Sequence, residues 1–167
     1  MNDNYILMEN IKKRIEENGF ESTNWDTILS QYSKLEPIIE LYIEKFNKSH
    51  WILISGGQDL SEKFIEKYKD KIEWTRFSQF SILDESIIEK YCDLVDWWCI
   101  STYQNLSEEF IKKYFNKLDV RGISYHQNLS EEFIINNIDK LDINMLKLNP
   151  LIDITNKVDT IFKLKEI

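Results

Sequence analysis

From Trp51 onward the chain is a tandem 23-residue repeat, and no other feature restricts its fold so tightly. The tracts QDLSEKFIEKYKDKIEW from Gln58, QNLSEEFIKKYFNKLDV from Gln104 and QNLSEEFIINNIDKLDI from Gln127 align without gaps. FSILDESIIEKYCDLVDW from Phe80 is a degenerate copy. Units open at Trp51, Trp74, Trp97, Val120 and Ile143, at equal intervals throughout. Within a unit the columns are regular. Ile54, Phe77, Ile100, Ile123 and Leu146 are apolar, and Ser55, Ser78, Ser101 and Ser124 follow directly. Gln58, Gln104 and Gln127 form a polar column, then come Leu60, Leu83, Leu106 and Leu129, and then Ser61, Asp84, Ser107 and Ser130.

The spacings are helical. Phe110, Ile111, Tyr114 and Leu118 fall at i, i+1, i+4 and i+8, one stripe of a 3.6-residue period. Ser107 and Ser130 are N-cap candidates, preceded by Leu106 and Leu129 as hydrophobic staples and followed by Glu108-Glu109 and Glu131-Glu132 in the positive first turn. The first half of a unit opens after an Asp or Glu that can cap it. Trp97 and Ile100 at i and i+3 then predict a helix of about two turns. Each unit is therefore helix, turn, helix, and a pair this short buries its apolar stripe only by stacking on neighbours. The expected fold is all-α: a compact α-solenoid in a single repeat domain over 1–167. Its parts are an N-terminal cap helix (1–20, helical from Tyr5, stopped by Gly19), a divergent first unit (21–50), four regular units (51–142), and a partial unit with a C-terminal cap (143–167). Trp51 follows Trp25 at a longer interval than the later openers keep, so the first unit carries a small insertion, and Pro150 interrupts the Gln column. The run Trp51 to Gly57 resembles a buried strand in isolation; the repeat makes it helical, with Gly56-Gly57 as a stop.

Composition narrows the functional classes. Four Gly, two Pro and 13% aromatic residues exclude collagen-like and disordered chains. A formal charge of -8 opposes dependence on phosphate neutralisation. Cys92 and Cys99 form no disulfide framework, which fits a reducing, cytoplasmic setting. The opening segment is acidic rather than basic and apolar, so no signal peptide is expected, and no run approaches the ~18 apolar residues of a membrane span. Alanine is absent while Ile, Lys and Asn abound, as an AT-rich genome would encode.

No catalytic motif, cofactor loop or metal-ligand spacing is present in the sequence. His50 reads as a cap or solvated side chain, Cys92 and Cys99 as half-buried thiols, and the Glu pairs as helix-start charges. The Gln ladder reads as satisfying turn backbone in the neighbouring unit. What remains are the positions that vary while the framework holds, which in a solenoid face outward. One column is Gly57, Phe80, Tyr103 and His126, another is Ile52, Thr75, Trp98, Arg121 and Asn144, and a third is Leu53, Arg76, Cys99, Gly122 and Met145. From these, with Tyr125, the candidate partner-binding residues are Trp98, Tyr103, Tyr125, His126, Phe80, Arg76 and Arg121. The opposing reading packs Phe80 and Tyr103 between units as core.

The tract QNLSEEFIKKYFNKLDVRGISYHQNLSEEFI and the opening aromatic column resemble a family of short LSEEFI-type tandem helical repeats of large DNA viruses, bacteriophages and AT-rich bacteria. The likeness covers roughly residues 51–146, and more weakly 21–50. It implies fold and source, with no catalytic residue to carry over. Together these readings lead to the expectation of a non-enzymatic protein-binding module, a phage- or virus-encoded inhibitor of a host defence effector of the anti-CRISPR kind, acting in the host cytoplasm. Its partner would be a protein with a basic nucleic-acid-processing groove, with no membrane and no small-molecule substrate. The alternatives are single-stranded nucleic-acid binding, by stacking on Trp98, Tyr103 and Tyr125 with Arg76 and Arg121 on phosphates, and a self-assembling scaffold.

Overall fold

The computed structural model describes residues 3–165 and, within them, thirteen α-helices and no strand. The outermost positions of the two expected caps, 1–2 and 166–167, lie outside the described residues. No described helix is long and apolar enough to cross a membrane. The chain divides into two compact units, which meet in sequence at Ser81 and Ile82, inside the degenerate repeat. In the first are α1 (Asp3–Asn18), α2 (Trp25–Gln31), α3 (Glu36–Leu41), α4 (Lys48–Gly57), α5 (Glu62–Tyr68) and α6 (Trp74–Phe80), with 3-10 turns at Phe20–Ser22 and Ile43–Lys45. In the second are α7 (Glu85–Lys90), α8 (Trp97–Tyr103), α9 (Glu108–Tyr114), α10 (Val120–His126), α11 (Glu131–Asn137), α12 (Ile143–Leu148) and α13 (Asn156–Lys165).

Successive first helices of the repeats pack on one another: α2 on α4 and α4 on α6 in the first unit, α8 on α10 and α10 on α12 in the second. The apolar columns lie where the spacing put them. Ile54, Ile100, Ile123 and Leu146 are fully buried, as are Phe64, Phe110, Phe133 and their Ile neighbours at 65, 111 and 134. Trp97 lies against Phe110 and Tyr114 of the following helix, and Trp51 against Phe64 and Tyr68, so these two openers tie the two helices of their own repeats together.

Caps delimit the helices. Ser61, Ser107 and Ser130 accept the N–H of Phe64, Phe110 and Phe133, and Asp96, Asp119 and Asp142 accept those of Cys99, Gly122 and Met145. Three local expectations are corrected. The second helix of a repeat is shorter than its stripe: α9 ends at Tyr114, and Leu118 is buried through a turn whose N–H bonds return to the Tyr114 carbonyl. Gly56 and Gly57 form the last turn of α4 rather than lying beyond it, with Gln58 the extended C-cap. They are small because a Cβ on Gly57 would stand 3.2 Å from the Leu29 carbonyl oxygen. His50 is not the cap of α4. The insertion in the first unit becomes an added helical turn beginning at Lys48, so Asn47 caps it. The His50 N–H donates to Asn47 Oδ1, and His50 Nδ1 accepts the Asn47 N–H.

Candidate functional site

The outward columns are held in place by a polar framework that runs from repeat to repeat. Gln127 reaches back from the end of α10 into the preceding turn. Its Nε2 donates to the Ser101 and Gln104 carbonyls at 2.9 Å each, and its Oε1 accepts the Leu106 N–H at 3.1 Å. Gln58 does the same for Leu29, Tyr32 and Leu35. Where Pro150 occupies the column, Asn149 substitutes from one residue earlier, donating to the Ser124 and Gln127 carbonyls. Ser101 is equally engaged: its hydroxyl donates to the Trp97 carbonyl at 2.6 Å and accepts the Asp119 N–H at 2.8 Å, joining α8 to the start of α10. Ser55 and Ser124 accept the Glu73 and Asp142 N–H groups in the same way. In the second unit the first Glu after a cap receives the next repeat's cap. Glu85 accepts the N–H and hydroxyl of Ser107, Glu108 the N–H of Ser130, and Glu131 the hydroxyl of Thr155, which caps α13. The first member of each acidic pair, Glu108 and Glu131, is therefore bonded across repeats, beyond its interaction with the helix dipole. No buried side-chain nitrogen or oxygen among the described residues lacks a hydrogen-bond partner.

With that framework satisfied internally, the variable columns emerge on the surface. Trp98 is 55% exposed, Tyr103 47% and Phe80 53%, so the core reading of Phe80 and Tyr103 does not hold. Arg76, Arg121 and His126 are also exposed, and Tyr125 is half-buried. The seven predicted residues fall into two groups, described separately.

On the second unit an open depression of about 460 Å³ is lined by Trp98 and Thr102 of α8, by Arg121, Gly122, Tyr125 and His126 of α10 with its cap Asp119, and by Met145 of α12. Tyr103 packs edge-on against Trp98 at 5.9 Å between ring centroids, and Tyr125 against His126 at 4.7 Å. Trp98 with Thr102, and Arg121 with Tyr125, are i, i+4 pairs, so each helix contributes one face. Arg121 points its Nε toward Asp142 at 4.0 Å. The depression exists because α8 and α10 approach closely at Gly122, where a Cβ would stand 2.9 Å from that of Ser101. Asp119 and Thr102 are members of the site that the variable columns did not single out. Asp119 reads only as a cap, and Thr102 becomes visible only as the helical neighbour of Trp98.

On the first unit Arg76 and Phe80 face each other, the guanidinium 5.5 Å from the ring centroid. They line a smaller apolar depression of about 240 Å³ with Ile52, Leu53, Gly56 and Leu29. Ile52, Gly56, Arg76 and Phe80 hold the repeat positions of Trp98, Thr102, Gly122 and His126, so one groove recurs with different side chains.

The thiols differ from expectation at one site. Cys92 is half-buried, whereas Cys99 is buried, and burial, reinforced by the Asp96 carboxylate, pushes its thiol up to about 11. Among the described residues no group of three or more His, Cys, Asp or Glu side chains is placed to hold a metal ion. Fold and surface together define an α-helical tandem-repeat protein with an aromatic-lined groove between successive first helices. Comparison with protein-family models, with curated proteins and with solved structures found no match for the chain.

Proposed function

We propose that this chain is a non-enzymatic binding module whose partner is another protein, engaged through the aromatic depression of the second unit. The observation that carries this reading is the clustering of Trp98, Tyr103, Tyr125 and His126 on the surface of a repeat whose buried polar atoms are otherwise satisfied. Large aromatic side chains left half in water are the usual anchors of interfaces. A charge of -8 suits a basic partner by electrostatic complementarity. With the resemblance to viral and phage repeats, this favours an inhibitor of a host defence effector, specifically a CRISPR nuclease whose nucleic-acid groove is basic, acting in the host cytoplasm.

The test is affinity capture from an AT-rich bacterial lysate after nuclease digestion, with the wild type beside the Trp98→Ala/Tyr103→Ala double variant. Any captured nuclease is then purified and its cleavage rate measured with each chain. A nuclease-resistant partner that is lost with the double variant, and whose cleavage the wild type slows, supports the reading. Equal capture by both chains refutes the site, and undiminished cleavage refutes the inhibitor role. A second reading has one observation behind it, the presence of Arg121 in the same depression as Trp98, which suits stacking and phosphate contact with a single strand. Oligonucleotide binding that weakens in the double variant would favour it.

A further inference from the structure

Many of the aromatic rings of this protein, several of them buried, are already paired with its own cations. Lys71 and Lys117 lie over Trp51 and Trp97, and Lys45, Lys67, Lys90 and Lys113 over Phe20, Tyr68, Tyr91 and Tyr114. Arg76 does the same for Phe80 in the first unit's depression. Against that habit, Trp98, Tyr103 and Tyr125 carry no cation over their rings among the described residues, although all three reach the surface in one place. The wall beside them carries one carboxylate. Asp119 lines the depression and spends Oδ1 on the Gly122 N–H at 2.7 Å, leaving its other carboxylate oxygen as an acceptor. Of the two basic side chains on the rim, Arg121 is turned toward Asp142 and His126 packs against Tyr125.

We infer that the depression between α8 and α10 is a receptor for a guanidinium group, an arginine side chain of a basic segment on the partner protein, stacked on Trp98 and hydrogen-bonded to Asp119. This rests on the protein-binding reading and names the chemistry that the site would recognise. Three physical arguments converge. Tryptophan offers the strongest cation–π face, and the planar guanidinium stacks on it while keeping its edge donors free for a carboxylate. The open, shallow shape admits a side chain from an extended segment. The chain's net charge of -8 draws a basic segment toward it.

The probe is an acetylated, amidated hexa-arginine peptide, titrated calorimetrically into the full chain and followed by the Trp98 indole N–H resonance. Hexalysine is run in parallel. Trp98→Ala and Asp119→Asn are the test variants, and Asn retains the helix cap while removing the charge. Glu132→Gln, an exposed carboxylate on α11, is the control. Saturable one-site binding is expected, stronger for arginine than for lysine, about 10-fold weaker in Trp98→Ala and about 3- to 5-fold weaker in Asp119→Asn, and unchanged in Glu132→Gln. Non-saturating binding, or equal weakening by Glu132→Gln, reduces the effect to overall charge and overturns the inference. A silent Trp98 resonance does so too. If hexa-arginine fails while partner capture still requires Trp98 and Tyr103, the interface stands without a guanidinium pocket; if capture fails as well, both readings fall.

Discussion

Replacing Gln127 by leucine is expected to destabilise the second unit more than replacing it by alanine, although leucine is the better match in volume for a side chain only 3% exposed. Gln127 makes three buried hydrogen bonds, to the Ser101 and Gln104 carbonyls and from the Leu106 N–H. Either substitution removes all three. At about 1 kcal/mol net for each bond lost, and up to about 3 kcal/mol for a buried group left without a partner, the loss for leucine is about 3–5 kcal/mol. Alanine leaves space in which water can reach the same three backbone groups, so its cost is expected to fall below that of leucine, at about 2–3 kcal/mol. The ordering reverses the hydrophobic scale, on which leucine would gain from burial. Urea unfolding followed by tryptophan fluorescence and far-UV dichroism measures it. Amide exchange at Leu106 reports whether loss is confined to the second unit, since units of a repeat protein can unfold separately. A leucine variant within about 1 kcal/mol of wild type, or one more stable than the alanine variant, would refute the assignment of Gln127 as a backbone clamp.

Gly122→Ala, which raises intrinsic helix propensity by about 1 kcal/mol, is nonetheless expected to lower stability by about 1–3 kcal/mol, because its Cβ would lie 2.9 Å from Ser101 Cβ and 3.1 Å from Thr102 Oγ1; a raised urea midpoint would count against the close approach of α8 and α10. The Trp98→Ala/Tyr103→Ala pair is expected to leave the thermal midpoint within a few degrees of wild type, as both rings are about half exposed, and differential scanning calorimetry showing a large drop would make them core. Cys99 contributes a pH dependence of definite sign. Its folded-state thiol ionises near 11 against an ordinary 9.0, so the unfolded chain loses its proton first. Stability from this group is constant below about 9 and declines as pH rises toward 11. Cys99→Val should flatten that part of the curve in urea titrations, and an identical alkaline slope in both chains would rule the thiol out.

The helical hairpins are legible in the sequence because two periods coincide there. A 3.6-residue stripe marks each helix, and the 23-residue unit fixes which apolar residues must meet, which overrides the strand-like look of Trp51 to Gly57. Boundaries are less legible where hydrogen bonding, rather than pattern, ends a helix. The stripe through Leu118 outlasts α9 because a turn can bury the last apolar residue as well as a helix can. The insertion ahead of Trp51 shows in the spacing, but its place does not: only the Asn47–His50 capping box shows that it lengthens α4. Tyr125 and Asp119 join Trp98 through the α8–α10 contact, which links one repeat to the next and leaves no local mark in the sequence.

The same long-range contacts explain why framework and surface columns separate along this chain. Gln, Ser and Glu columns spend their polar atoms on a neighbouring repeat, and where Pro150 stands in the Gln column Asn149 makes the same bonds from one residue earlier. Trp98, Tyr103 and Arg121 take no part in these bonds. At the first unit's equivalent groove, Ile52, Gly56, Arg76 and Phe80 stand at the repeat positions of Trp98, Thr102, Gly122 and His126 without loss of the helix packing beneath. A repeat built this way can exchange its surface chemistry one column at a time, and the character of its groove is therefore set by the few outward side chains of adjacent first helices and not by the fold that they share.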